Sequence, residues 1–504
     1  MTANFYNVRT FGASGNGSTK DTSAIQQAID ACASAGGGKV LLPPGRYLSG
    51  TIYLKSNVQF HLSSGAVLVG SPDREDYNAE DVFPENESFS TENVTATHLI
   101  IAYRQHNVSI TGDGTIDGNS SAFFAPLPDG ATASYRFKSK SYPIMSWRPG
   151  QMIFLCRCRQ VSVRDAQLKN SPYWGLFTLG CEDVHIRGLT IVNPPATANG
   201  DGIDIDCSRN VTISDCIIRS GDDCITVRGN KRRLGEAAMA CENITVTNCI
   251  LSTPCNAIRV GVGDGEIRRC TFTNIVIQET RTAISIVSRY SPRSDHGTTI
   301  ENVQFSDFIV DAVNPLAIGA GTGALQPAAI RDISFSRFRI KAWAGSQLAG
   351  TADVPLQRIR FSDIEWLVSG GTDNCEFANQ LPAVSHMTYH GMNGQPALPC
   401  ALYGTFLQDA SFDNVRVRWD AISAVWRDGF VIERSVGAEF RHIRLRQPHD
   451  DGGAALRFRQ CDDITLAGCR AEEGTLVFAQ LEDSSPNARI RFIDNDLTDA
   501  KQPD

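Results

Sequence analysis

The chain has 504 residues, 42% of them hydrophobic and 20% charged, with 43 glycines and a formal charge of -8. That apolar content excludes an intrinsically disordered chain, and the lack of a Gly-X-Y period excludes collagen. No run of ~18 apolar residues is present, so no transmembrane helix is expected. The acidic balance argues against nucleic acid as the main partner, and the sequence leaves the oligomeric state open.

At roughly 150 residues per domain the length would suit about three domains, a prior that long β architectures override. The N-terminus, Met1 to Tyr6, has no basic stretch ahead of an apolar core, so no signal peptide is visible. The expectation is a cytoplasmic protein, or an extracellular or periplasmic one whose leader has been removed. The 15 cysteines are scattered, and the closest pair, Cys156 and Cys158, lacks the spacing of a structural zinc site. Buried packing as small hydrophobes is the expected use of most of them.

In chain order, the first element is a helix capped by Thr22 or Ser23. It carries Ile25, Ala28, Ile29 and Cys32 on one face, and Gly36-Gly37-Gly38 stops it. Short strands follow at 50–54, 58–62 and 66–69. One amphipathic helix ahead of a long β run looks like a cap on a stack, covering about residues 1–70 with the first coils.

From about residue 99 a small unit recurs, an alternating apolar-polar-apolar triplet behind Asn, Asp or Gly. Copies stand at Val108, Val161, Val184, Val211, Ile244, Val303, Ile333, Ile359, Val415, Ile443, Ile464 and Ile490. Steps such as 161 to 184, 333 to 359 and 443 to 464 run from 21 to 27 residues, the period of a solenoid. Two or three period-2 strands per unit and no helix make each unit one coil of a parallel β-helix, with apolar side chains inside. A propeller is the runner-up, but its four-stranded blades need more residues. The expectation is therefore a single all-β domain over 1–504. Three segments break the period and are expected to leave the coil: 119–149, rich in aromatics, 230–240, with Lys231-Arg232-Arg233, and 369–401, with His386 and His390. Long loops on a rigid scaffold often carry function.

Aligning three coils by their apolar positions stacks Ile203, Ile225 and Ile258, with Asp201, Asp223 and Asn256 two places earlier. Asp222 then stands beside Asp223 at the same turn. Such clustered carboxylates repel, and burial or repulsion should raise at least one pKa. Carboxylates of unequal pKa suit glycosidic bond cleavage, one as acid for the leaving oxygen and one as base for water. An Asp-rich turn stack or a calcium site fits the same residues. Arg228 falls in one outward column with Asp206 and reads as a ladder salt bridge or a groove contact. Arg259 shares the column of Asp204 and Thr226. Lys231-Arg232-Arg233 reads as a solvated face, Trp174 as packing in the coil and His185 as surface. Phe123 to Trp147 are expected to wall off one end of a groove.

The sequence resembles glycoside hydrolase family 28, the polygalacturonase and rhamnogalacturonase family. The resemblance rests on Phe11-Gly-Ala13, Gly36-Gly-Gly38, Pro44-Gly-Arg-Tyr47, Gly114-Thr-Ile-Asp-Gly118, Asn170-Ser-Pro-Tyr-Trp174, Asn199-Gly-Asp201 and Ser220-Gly-Asp-Asp-Cys224, in family order over about residues 7–310. It implies a right-handed parallel β-helix and catalytic roles for Asp201, Asp222 and Asp223. In that family the first Asp of Gly-Asp-Asp, here Asp222, is the general acid. Asp201 and Asp223 would hold and activate the water, in a single displacement with inversion that needs no metal and no cofactor. Two motifs differ. Gly-His-Gly falls on Cys255-Asn256-Ala257, and Arg-Ile-Lys falls on Ser285-Ile286-Val287. Arg228, Asn256, Arg259, Arg281 and Arg289 are the candidate substrate-binding residues.

The expected function is an inverting glycoside hydrolase on a pectin-like, uronate- or rhamnose-containing glycan. Two other classes compete with it. One is a polysaccharide lyase whose acidic cluster binds calcium and whose Arg259 abstracts the proton. The other is a non-catalytic glycan-binding β-helix, against which the Asp222-Asp223 pair beside Asp201 weighs.

Overall fold

The computed structural model describes residues 5–85, 97–289, 296–321, 328–369, 400–420, 426–483 and 488–501. The chain divides into two compact units, Met1–Ala257 and Ile258–Asp504. Among the described residues no helix is long and apolar enough to cross a membrane.

The first unit opens with the helix Thr22–Ser34, which buries Ile25, Ala28, Ile29 and Cys32 as its periodicity requires. Its start lies one residue earlier than expected. Asp21 holds the N-cap position, yet its carboxylate accepts the N–H groups of Ser14 (2.7 Å) and Gly15 (3.0 Å) instead of a helical one. Thr22, already helical, accepts a hydrogen bond at Oγ1 from the Gly50 N–H (2.9 Å), tying the helix to the first coils.

Parallel coils follow. Val108, Val161, Val184, Val211 and Ile244 pair in register, one above another. A one-residue slip would turn every inward aliphatic to water, so the alternating pattern fixes this register. The turn before each triplet uses a left-handed residue: Asn107, Gln160, Asp183, Asn210 and Asn243 have φ between 52° and 58°. Asn and Asp tolerate that conformation, and their side chains bond along the stack, Asn210 to Asp183 and Asn243 to Asn210 at 2.9 Å each.

The second unit is built in the same way. Val303, Ile333 and Ile359 pair in register. Phe272, Phe305, Phe335, Phe361, Phe412 and Phe440 stack face to face, with centroids 4.8–5.1 Å apart and planes within 13°. That spacing is the inter-strand distance of a sheet, so the ladder follows from placing one residue type at one register position. One sequence interval is reassigned. Arg416 pairs with Arg444, while Phe440 pairs with Leu466, so the triplets at Ile443 and Ile464 lie in different columns and their 21-residue interval is not a coil. Val415 pairs with Ile364.

Residues 119–149 hold no named strand, and 230–240 hold the 3-10 segment Lys231–Ala237. Of the 369–401 excursion only the ends are described, and His386 and His390 lie outside the described residues. The 14 cysteines among the described residues are all buried.

Candidate active site

Two adjacent coils of the first unit carry the aspartates. Strands Ile203–Asp206 and Ile225–Gly229 pair with Ile203 on Ile225 and Ile205 on Val227, as the alignment of apolar positions requires. The turn ahead of each strand continues the stack. Gly202 N–H donates to Asp223 O (2.9 Å) and Cys224 N–H to Asn256 O (3.0 Å), which sets Asp201, Asp223 and Asn256 one above another. The turns touch closely at Gly221, whose N–H reaches Gly200 O at 3.0 Å. A Cβ on Gly221 would lie 2.6 and 2.7 Å from the carbonyl oxygens of Pro194 and Thr197, so only glycine fits beside Asp222.

The aspartates differ in exposure. Asp201 and Asp223 are 2% and 1% exposed, while Asp222 is half-buried. Burial, and then the negative charges of Asp204, Asp222 and Asp223, push the Asp201 carboxyl well above the usual carboxylate range, against the Arg228 guanidinium. The expected unequal titration is therefore present at Asp201. Its Oδ1 is buried and accepts no hydrogen bond among the described residues. The Asp223 Oδ1 accepts two hydrogen bonds from Asn256, from Nδ2 at 2.6 Å and from the backbone N–H at 3.2 Å. Asn256 is fully buried, so its amide braces Asp223 and is not displayed to a sugar.

An Asp201→Asn variant is accordingly expected to melt higher than the wild type at pH 7 while losing activity. The folded protein keeps the Asp201 proton at pH values where the unfolded chain has released it. Wild-type stability therefore falls as pH rises from the unfolded pKa toward the raised folded one. Thermal melts from pH 4 to 8 check this: the gap between variant and wild type should widen with pH, and a constant gap would show that Asp201 is not the group responsible.

Arg228 sits opposite Asp206 in the register, as aligned, but its side chain pairs elsewhere. Its Nε bonds Asp204 Oδ1 at 3.1 Å, its Nη2 approaches Asp201 Oδ2 at 3.5 Å, and its guanidinium lies 4.2 Å over the Trp174 ring. Asp206 is held instead by the Asn230 N–H (2.8 Å), Asn230 Nδ2 (2.7 Å) and Arg233 (3.7 Å). The Arg233 side chain is thus 5% exposed, unlike the exposed Lys231 and Arg232 beside it. Trp174 packs at 1% exposure, and His185 is exposed.

The outward faces of the two preceding coils are closed. Phe154 and Phe177 stand in register with Asp204 and stack on each other at 5.6 Å. They are buried in one cluster with Phe83, Cys156, Tyr173, Trp174, Leu179, Cys207 and Leu234. This wall is not the one expected. Phe123 and Trp147 of the first excursion pack on each other, Trp147 also packs on Tyr77, and Phe124 packs on Tyr142. Phe154 and Phe177 were legible only as strand residues, because period 2 does not tell a covered outer face from the core.

Two further site residues carried no sequence signal. Arg148 donates to Pro172 O (3.0 Å), Ala198 O and Asn199 Oδ1 (2.7 Å), and Lys138 donates to Thr197 O (3.4 Å) and Gly221 O. Both cations come from the 119–149 excursion and land on the turns that bear Asp201 and Asp222. Arg259, Arg281 and Arg289 belong to the second unit, at 4%, 8% and 8% exposure. Asp222, Asp223 and Cys255 bring two carboxylate oxygens and a thiol sulfur within 4.8 Å of one another. Sulfur suits a soft cation, whereas the lyase reading needs an all-oxygen calcium set.

The family model described as Glycosyl hydrolases family 28 matches residues 82–242, and a second, Rhamnogalacturonase A/epimerase, pectate lyase-like, matches residues 5–115. A probable polygalacturonase of Vitis vinifera is 29% identical over 49% of this chain and 49% of its own length. The exo-poly-alpha-D-galacturonosidase of Dickeya chrysanthemi is 25% identical over 54% of this chain and 50% of its own. The chain thus spans about half the length of these curated relatives. Among solved structures, the exopolygalacturonase of Thermotoga maritima aligns with a TM-score of 0.60 at 24% identity, over 72% of this chain and 87% of that one. Its likeness shows the fold, a right-handed parallel β-helix. The family match spans the coils that carry Asn199-Gly-Asp201 and Gly221-Asp-Asp223, so over that stretch the chain is similar to glycosyl hydrolases family 28.

Proposed function

We propose that this protein is a glycoside hydrolase that trims a pectin-like polysaccharide, or an oligosaccharide from it, from one end. The observation that carries the reading is the half-buried Asp222 beside the buried Asp201 and Asp223 on stacked turns. Asp222, the aspartate that solvent reaches, protonates the leaving glycosidic oxygen. Asp201 and Asp223 hold a water between them. Asp223, its carboxylate fixed by Asn256, takes the proton as the water attacks the anomeric carbon. The wall over Phe154 and Phe177 stops a glycan from running on across the preceding coils, which supports exo-action. The relatives named polygalacturonase and exo-poly-alpha-D-galacturonosidase support a uronate-containing substrate. Arg259, Arg281 and Arg289 remain candidates for substrate contact on the sequence alone.

One observation favours a second stereochemistry. Asp222 and Asp223 approach within 4.8 Å, whereas inverting pairs commonly stand ~6.5–9.5 Å apart and retaining pairs ~5–5.5 Å. With Asp201 as a further holder of water, inversion is the reading adopted. Proton NMR of the first-formed sugar from homogalacturonan and rhamnogalacturonan tests both points. An inverted anomer released as short products is expected. A retained anomer would make Asp223 a nucleophile, and ultraviolet-absorbing unsaturated ends would replace hydrolysis by elimination.

A further inference from the structure

A substrate that bears carboxylates meets a repulsive field at this site, because Asp204, Asp222 and Asp223 crowd two adjacent coils beside the buried Asp201. Arg228 does not offset that field toward solvent: it is 3% exposed and committed to Asp201, Asp204 and the Trp174 face. Arg148 is 4% exposed and committed to Pro172, Ala198 and Asn199. Lys138 differs. It is half-buried, and its ammonium is held by the carbonyl oxygens of Thr197 and Gly221, the latter one residue before Asp222. An ammonium has three N–H donors, and among the described residues the third has no acceptor. The segment that delivers it is fastened on either side, by Tyr135 Oη to Asn193 O (3.0 Å) and by Tyr142 N–H to Ala196 O (2.8 Å), so the cation is preorganised.

We propose that Lys138 forms a subsite for the acidic group of the sugar next to Asp222, with its third N–H donated to the sugar carboxylate. The subsite rests on the pectin-like reading above but makes a claim about binding alone. Two carbonyl oxygens fix the ammonium at no cost in net charge, and the carboxylate supplies the counter-ion it lacks. A neutral sugar of the same shape gains nothing from it, so Lys138 sets selectivity for uronate over the neutral hexose.

The test uses the full chain carrying Asp222→Asn, so that no turnover is needed, and titrates galacturonate and galactose calorimetrically. Adding Lys138→Gln keeps donors for Thr197 and Gly221 and removes the charge. It is expected to weaken galacturonate about 10- to 100-fold, the scale of one charge-assisted hydrogen bond, and to leave galactose unchanged. Lys138→Arg is expected to restore most of the uronate affinity. Equal loss of both sugars would assign Lys138 to structure only. Unchanged uronate binding in Lys138→Gln, or no uronate preference in the Lys138 protein, would overturn the subsite. Hydrolysis by the protein with Asp222 intact is measured separately, so failure of the subsite and failure of the glycosidase reading are told apart.

Discussion

Asp222→Asn is expected to lower kcat by on the order of 10³-fold on the polymer this protein cleaves, with KM little changed. The asparagine keeps the shape and the hydrogen-bonding reach of the side chain but has no proton of suitable acidity for a departing sugar oxygen. The loss should fall in the chemical step, because the turn itself is held by groups the substitution leaves alone: Ser220 Oγ donates to Asp222 O at 2.6 Å, and Thr253 Oγ1 donates to the same oxygen. Thermal melting should stay close to that of the wild type, since the side chain is half-buried and the backbone bonds persist. A substrate with a strongly acidic leaving group needs less protonation, so an aryl glycoside of the same sugar should recover part of the rate. Wild-type kcat on the polymer in this variant would remove Asp222 from the acid role.

Arg228→Met is expected to be the most destabilising single change in the first unit, at about 3–5 kcal/mol in urea unfolding. The guanidinium is 3% exposed, and it lies between Asp201 and Asp204 under the Trp174 ring. Methionine fills the volume but leaves Asp204 without its cation and Asp201 without a hydrogen-bond donor, which is where the cost arises. Arg228 also lowers the pKa of Asp201, so its removal raises that pKa further and extends the loss of stability with rising pH. Adding Asp201→Asn to Arg228→Met removes the buried carboxyl whose pKa Arg228 lowers, so the part of the loss that grows with pH should be recovered. A double-mutant cycle measures this coupling, and simple additivity would place Arg228 outside the aspartate cluster.

Much of the coil architecture was written locally. The inward aliphatics at Val108, Val161, Val184, Val211 and Ile244 recur with period 2 inside each strand and at a near-constant step between coils, and both periods are visible without knowing any contact. Where the step drifted, the reading drifted with it: Ile443 and Ile464 matched as triplets but belong to different columns. The triplet alone does not say which of a coil's strands it forms. The helix at Thr22–Ser34 was legible for the same local reason, while its N-cap was not, because the carboxylate of Asp21 was drawn to Ser14 and Gly15.

The sequence by itself determined that this protein is a stack of parallel coils, and that Asp201, Asp223 and Asn256 share one column with Asp222 at their side. In-register stacking turns a spacing along the chain into a neighbour in space, so counting was enough. The tertiary structure decided what each of those side chains faces. It turned the Asn256 amide onto Asp223, took Arg228 from Asp206 to Asp201 and Asp204, and buried Phe154 and Phe177 under Phe83 and Leu234. It also brought Lys138 across 83 positions of sequence to Gly221. These outcomes depend on burial, on which rotamer finds a partner and on where an excursion lands. No local period records them, because the energy that selects them comes from residues far away in the chain.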